Sequence, residues 1–212
     1  MPAGALITFS LNLLSAIVAL LTSYYAYKSN RLVGSSVLSA ISIGFMLLGM
    51  GLVVDAGTSL GTGKLLVEIP GDRALTLLAS FSYLTVQMLA YLVIAIGYGR
   101  ATYGNAAKAA APVIFAGWAA SLRGYSVLSY FIVLILLAFV VFQGFLLRSG
   151  KKGGMSSIVL LAFALILVAH IVLLLSVLTL GTGLFLVGTG VQFLGFLALL
   201  VFVVRSEVIV PR

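Results

Sequence analysis

Apolar runs of about twenty residues or more recur along this chain, and that length is what a helix needs to cross a bilayer. With 63% hydrophobic and only 8% charged residues, a water-soluble fold has too little polar surface to cover it. Counting along the sequence predicts spans at about 4–27, 33–54, 74–98, 104–122, 125–147, 157–180 and 183–204. The expectation is an all-α polytopic transmembrane helix bundle of seven spans, forming one domain over residues 1–212. The fourth span is the shortest. Only 14 residues separate Lys108 from Arg123, about 21 Å of helix, so both cations must snorkel to the headgroups for it to cross. The first run is too long for the core of a signal peptide and has no basic flank before it, so it reads as a span.

Charge sets the orientation. With seven crossings, Lys28, Arg31, Arg100, Lys108, Arg148, Lys151, Lys152, Arg205 and Arg212 share one side; Lys64, Arg73 and Arg123 take the other. Nine basic residues against three is the asymmetry of a cytoplasmic face, which puts the amino terminus outside and the carboxyl terminus in the cytoplasm of a cell-membrane protein. Six crossings would split the charge about evenly. The net charge of +8 forms no dense patch, so nucleic acid is not an expected partner. The lipid bilayer is, and the apolar helix faces suit a membrane protein partner or a second copy of the chain.

The chain carries an internal echo. Val86-Gln87-Met88-Leu89 with Arg100 recurs as Val191-Gln192-Phe193-Leu194 with Arg205, at an offset of 105 residues. Ser35-Ser36 and Ser156-Ser157 open the second and sixth spans at an offset of 121, and Leu60-Gly61-Thr62-Gly63 and Leu180-Gly181-Thr182-Gly183 follow them at 120. Their common order predicts tandem three-helix repeats: repeat one over about 1–100, a linker helix over about 101–122 and repeat two over about 123–212. An odd linker makes the triplets run in the same direction, as parallel repeats about an axis along the membrane normal. The segment from Asp55 to Arg73 holds three of the four acidic residues and several turn formers, and reads as an external loop with a short strand or turn at Leu65–Ile69.

Most reaction chemistries are excluded. Without cysteine there is no thiolate or disulfide, and a single histidine builds no multi-histidine metal or haem site. No cofactor is expected. The seventh span has no lysine for a retinal Schiff base, and no carboxylate lies at the centre of any span to relay protons. No nucleophile–base pair is evident, so the chain does not read as an enzyme. What remains at mid-depth is Gln87, His170 and Gln192, with Asn12 and Gln143 nearer the ends of their spans. These three are the candidate solute-binding or gating residues. An amide in hydrocarbon needs a hydrogen-bond partner, and two uses stay open for the glutamines: bonds that hold helices together, or amides that converge on a small polar solute. His170 stands where the first repeat has Gly49, and serves either as a neutral, backbone-bonded residue or as a ligand or gate. Glycines in the second and seventh spans suit close helix packing. Tyr24, Tyr25, Tyr27, Tyr98, Tyr103 and Trp118 read as anchors at the membrane interfaces.

A basic loop, a serine-rich helix start, Ala169-His170 and the late Val191-Gln192-Phe193-Leu194-Gly195-Phe196 helix resemble uncharacterised multi-pass membrane proteins of archaea, mainly over the sixth and seventh spans. That resemblance implies a membrane protein and transfers no site residue. The three-one-three plan is also similar to sugar transporters of the SWEET type, but the Pro-Gln pair of that family is missing. The sequence therefore predicts a small non-enzymatic transporter or channel-like protein for a small polar solute. An accessory or scaffolding subunit of a membrane complex is the alternative, and a membrane sensor module the second alternative.

Overall fold

The computed structural model describes residues 3–61, 72–103, 125–149, 157–179 and 181–209. Apart from two short joints, every described residue is helical: α1 Ala3–Val33, α2 Ser36–Gly61, α3 Asp72–Tyr103, α4 Tyr125–Ser149, α5 Ser157–Thr179 and α6 Thr182–Ile209. All six are long and apolar enough to cross a membrane, the make-up of a multi-pass membrane protein. The expected fourth span at 104–122 and the strand or turn at Leu65–Ile69 lie outside the described residues.

The joints follow from local chemistry. Gly34 ends α1 with a φ of 67°, a left-handed value that glycine adopts without a Cβ clash, and its amide donates to the Asn30 carbonyl at 2.7 Å. The Ser35 carbonyl then accepts from Ser39 at 3.0 Å to start α2. Gly181 joins α5 to α6: its amide donates to Ser176 at 3.1 Å and its carbonyl accepts from Phe185 at 3.2 Å. Ser36, Ser157 and Gly181 therefore mark helix ends as expected. The end of α2 is different. Asp55 and Gly57 were expected in a loop, but α2 continues through both to Gly61.

Each helix packs on its neighbours in sequence, and α6 closes on α1, giving a six-membered ring. Small residues allow the close approaches. A Cβ on Gly97 would meet the Ala40 Cβ, and one on Gly195 would lie 2.6 Å from Ile166 Cγ1 and 3.2 Å from the Ala162 carbonyl. Side chains meet across the ring: Phe45 of α2 packs edge-on against Phe196 of α6, and Tyr98 of α3 against Phe163 of α5. The outer faces carry exposed Leu, Ile, Val and Phe, while buried polar residues gather inside. That inversion suits lipid outside rather than water. Several hydroxyls are settled locally: Thr22, Thr102 and Thr189 donate to carbonyls four residues back, and Ser23 and Ser42 each donate to the other's carbonyl across α1 and α2.

Helix directions can be read from these pairs. Tyr91 meets His170 and Tyr98 meets Phe163, so α3 and α5 are antiparallel. The Gln143 amide reaches the Tyr103 hydroxyl at 3.5 Å, while Tyr130 lies by His170, so α3 and α4 are parallel. Tyr103 and Tyr125 therefore stand at opposite ends of the bundle. With α1, α3, α4 and α6 pointing one way, Arg31, Arg100, Arg148 and Arg205 all fall at the same end.

Candidate functional site

On α3, Tyr83, Gln87 and Tyr91 recur every fourth residue, which stacks them on one face. That face meets α5 and α6 inside the ring. There the Gln87 and His170 side chains approach with Nε2 atoms 2.7 Å apart, and His170 Nδ1 lies 2.8 Å from the Ile166 carbonyl. A carbonyl only accepts, so Nδ1 carries the proton and donates to it; Nε2 then accepts from the Gln87 amide. His170 is thereby set as a neutral imidazole by its two bonds. Its ring is fully buried, with Tyr91 edge-on at 5.3 Å between centroids and Tyr130 tilted at 6.4 Å.

Gln192 enters the same region from α6. Its amide lies within interaction range of the Tyr91 and Tyr83 hydroxyls, and the Tyr91 hydroxyl is also in range of Gln87. Gln87 Oε1, Tyr91 Oη and Gln192 Nε2 are all buried without a hydrogen-bond partner, three of the eight such side-chain atoms among the described residues. Two amides 105 residues apart in sequence thus converge on one tyrosine, leaving an acceptor, a hydroxyl and a donor unsatisfied.

A second polar contact lies toward one end. Asn12 Nδ2 donates to Asp55 Oδ2 at 2.8 Å, joining α1 to α2, and the Asp55 carboxylate is close enough to Tyr83 and Tyr130 to act on both electrostatically. Asp55 belongs to α2 rather than to a loop, two residues before its apolar span ends at Gly57. Gln143 sits apart, near Tyr103.

The sequence singled out Gln87, His170 and Gln192, which the structure brings to one region, but not Tyr83, Tyr91 and Tyr130 beside them. Tyr98, expected as an interfacial anchor, is completely buried against Phe163, whereas Tyr24, Tyr27 and Tyr103 are exposed, as anchors should be. Arg31 lies over the Tyr27 ring at 5.8 Å. Trp118 lies outside the described residues. No group of three metal-binding side chains occurs among the described residues. No known protein family, curated protein or solved structure matches this chain.

Proposed function

We propose that this chain is a small non-enzymatic transporter or channel-like protein, and that Gln87, Gln192, His170 and Tyr91 bind a small polar solute inside the helix ring. The observation that carries this reading is the trio of unpartnered buried atoms on Gln87, Tyr91 and Gln192. Buried polar groups in folded proteins nearly always find a partner, and in hydrocarbon the need is greater still. A transiting solute or a file of water supplies what the protein withholds. Tyr83 is in range of Gln192 and Asp55 acts electrostatically on Tyr83, and these two side chains are the proposed approach to the site from one end.

The directions of α3 and α4 support a further crossing by residues 104–122, since the chain has to return between Tyr103 and Tyr125. With the arginine-rich end taken as cytoplasmic, the amino terminus faces outside. Two triplets, α1–α3 and α4–α6, then run in the same direction around the ring, as tandem repeats require.

The Gln87–His170 bond by itself favours another use, a dry strut in a scaffolding subunit. Proteoliposomes separate the two. Permeation of a small neutral solute, abolished by Gln87→Leu or Gln192→Leu in folded protein, supports transport. Absence of permeation for every solute tried, with a stoichiometric partner recovered after gentle extraction, supports the subunit.

A further inference from the structure

The unpartnered atoms also describe what would fit them. His170 is held neutral by the Ile166 carbonyl on one side and the Gln87 amide on the other, which fixes the orientation of the Gln87 side chain. Its Nε2 faces the imidazole, so Oε1 is the atom left over, an acceptor awaiting a donor. Gln192 leaves the opposite: Nε2, a donor awaiting an acceptor. Tyr91 Oη, in range of both amides, can give or take. No charged side chain takes part in this group, so nothing in it balances a charged ligand.

The sequence echo explains why one amide is served and the other is not. At the offset of 105, Gln192 matches Gln87; at the offset of 121, His170 matches Gly49. Both hairpins share a register. Gly195, the match of Ala90, sits against Ala162 and Ile166; Ala90 presents its carbonyl to Gly44, within one turn of their matches Ile41 and Phe45. The imidazole that accepts from Gln87 has no counterpart for Gln192, because Gly49 offers no side chain and Leu20 fills the space beside it.

Resting on the solute-binding reading above, we propose that the ligand is a small neutral carboxamide or urea-type molecule. Its carbonyl accepts from Gln192 Nε2, as the imidazole does from Gln87, and its N–H donates to Gln87 Oε1. Such a group presents an acceptor and a donor on two atoms bonded to the same carbon. Molecules with an acceptor alone leave Gln87 Oε1 unserved, and Gln87, Tyr91, His170 and Gln192 themselves offer an ion no counter-charge.

The test uses the purified chain in lipid nanodiscs with acetamide as probe, read by saturation-transfer NMR on its methyl signal. Proteoliposome uptake of labelled urea is measured in parallel. The expected result is saturation of acetamide that falls about ten-fold in Gln192→Met, the scale of one lost hydrogen bond. N,N-dimethylacetamide, methylammonium and acetate should receive little. Gln143→Met, away from the site, should leave the acetamide signal unchanged. Binding with this pattern but without urea uptake upholds the ligand class and overturns transport. Uptake of glycerol or methylammonium without amide binding upholds transport and overturns the ligand class. Equal saturation of acetamide and its dimethyl derivative, or an unchanged signal in Gln192→Met, also overturns it.

Discussion

Two glutamines at matching places in the sequence should respond oppositely to the same substitution. Methionine keeps the length and flexibility of glutamine but removes both polar atoms. At Gln87 it breaks the bond to His170 Nε2 and leaves that nitrogen without its donor, but it also removes the unpartnered Oε1. Those two desolvation terms, each about 1–3 kcal/mol, offset one another to first order. The net loss is then the hydrogen bond itself, about 0.6–1.7 kcal/mol inside a membrane protein. At Gln192 the substitution removes an unpartnered donor and breaks no bond to it, so about 1 kcal/mol of burial cost disappears. Lost contact with the Tyr83 and Tyr91 hydroxyls takes back part of this gain. The expected order is Gln192→Met at or slightly above the parent and Gln87→Met below it, at least about 1 kcal/mol apart. Reversible unfolding in mixed detergent micelles measures the difference. Should Gln192→Met lose as much stability as Gln87→Met, the Gln192 amide is held by protein groups and is not left over for a ligand.

Other substitutions probe the ring and its polar contacts. Gly97→Val should cost about 1–3 kcal/mol by forcing α3 away from Ala40, whereas Gly190→Ala, which meets nothing within 4 Å, should be neutral or slightly stabilising in the same unfolding assay. Asn12→Leu removes a donor from the half-buried Asp55 carboxylate and should cost about 1 kcal/mol, with most of the loss recovered in Asn12→Leu/Asp55→Leu; a double-mutant cycle reads the coupling. Single cysteines are easily introduced because the chain has none: at exposed Tyr103 and Ser149 they should react with a membrane-impermeant reagent from one side, and at exposed Gly57 from the other. Labelling of Tyr103→Cys and Ser149→Cys from opposite sides would overturn the parallel arrangement of α3 and α4.

The helices were legible because hydrocarbon imposes a length and a composition that survive in one dimension. Gln87, His170 and Gln192 were legible for the same reason, as the polar exceptions at mid-run. Tyr91 and Tyr98 were not, since tyrosine at a helix end and tyrosine in a bundle core look alike until depth is known. The four-residue spacing of Tyr83, Gln87 and Tyr91 was the available signal, and it marks a shared face without saying what the face meets. Asp55 was assigned to a loop because a charge followed by glycines resembles a helix end. Its pairing with Asn12 depends on the antiparallel register of α1 and α2, which no local pattern encodes.

Structural necessity explains part of this interior and leaves part over. A bond between Gln87 and His170 ties α3 to α5, and Ser23 with Ser42 ties α1 to α2; each is a self-contained solution to burying polar atoms in hydrocarbon. The same reasoning run on Gln192 Nε2 and Tyr91 Oη fails, because these two atoms have no hydrogen-bond partner. An apolar side chain of similar size at either position would fill the same volume without the desolvation cost. Phe196, one turn along α6, packs edge-on against Phe45 in this way. Stability alone would place a leucine or methionine at 192 and a phenylalanine at 91. Packing therefore leaves the polar atoms at these two positions unexplained, which makes the cluster of Gln87, Tyr91 and Gln192 the place to look for a further role.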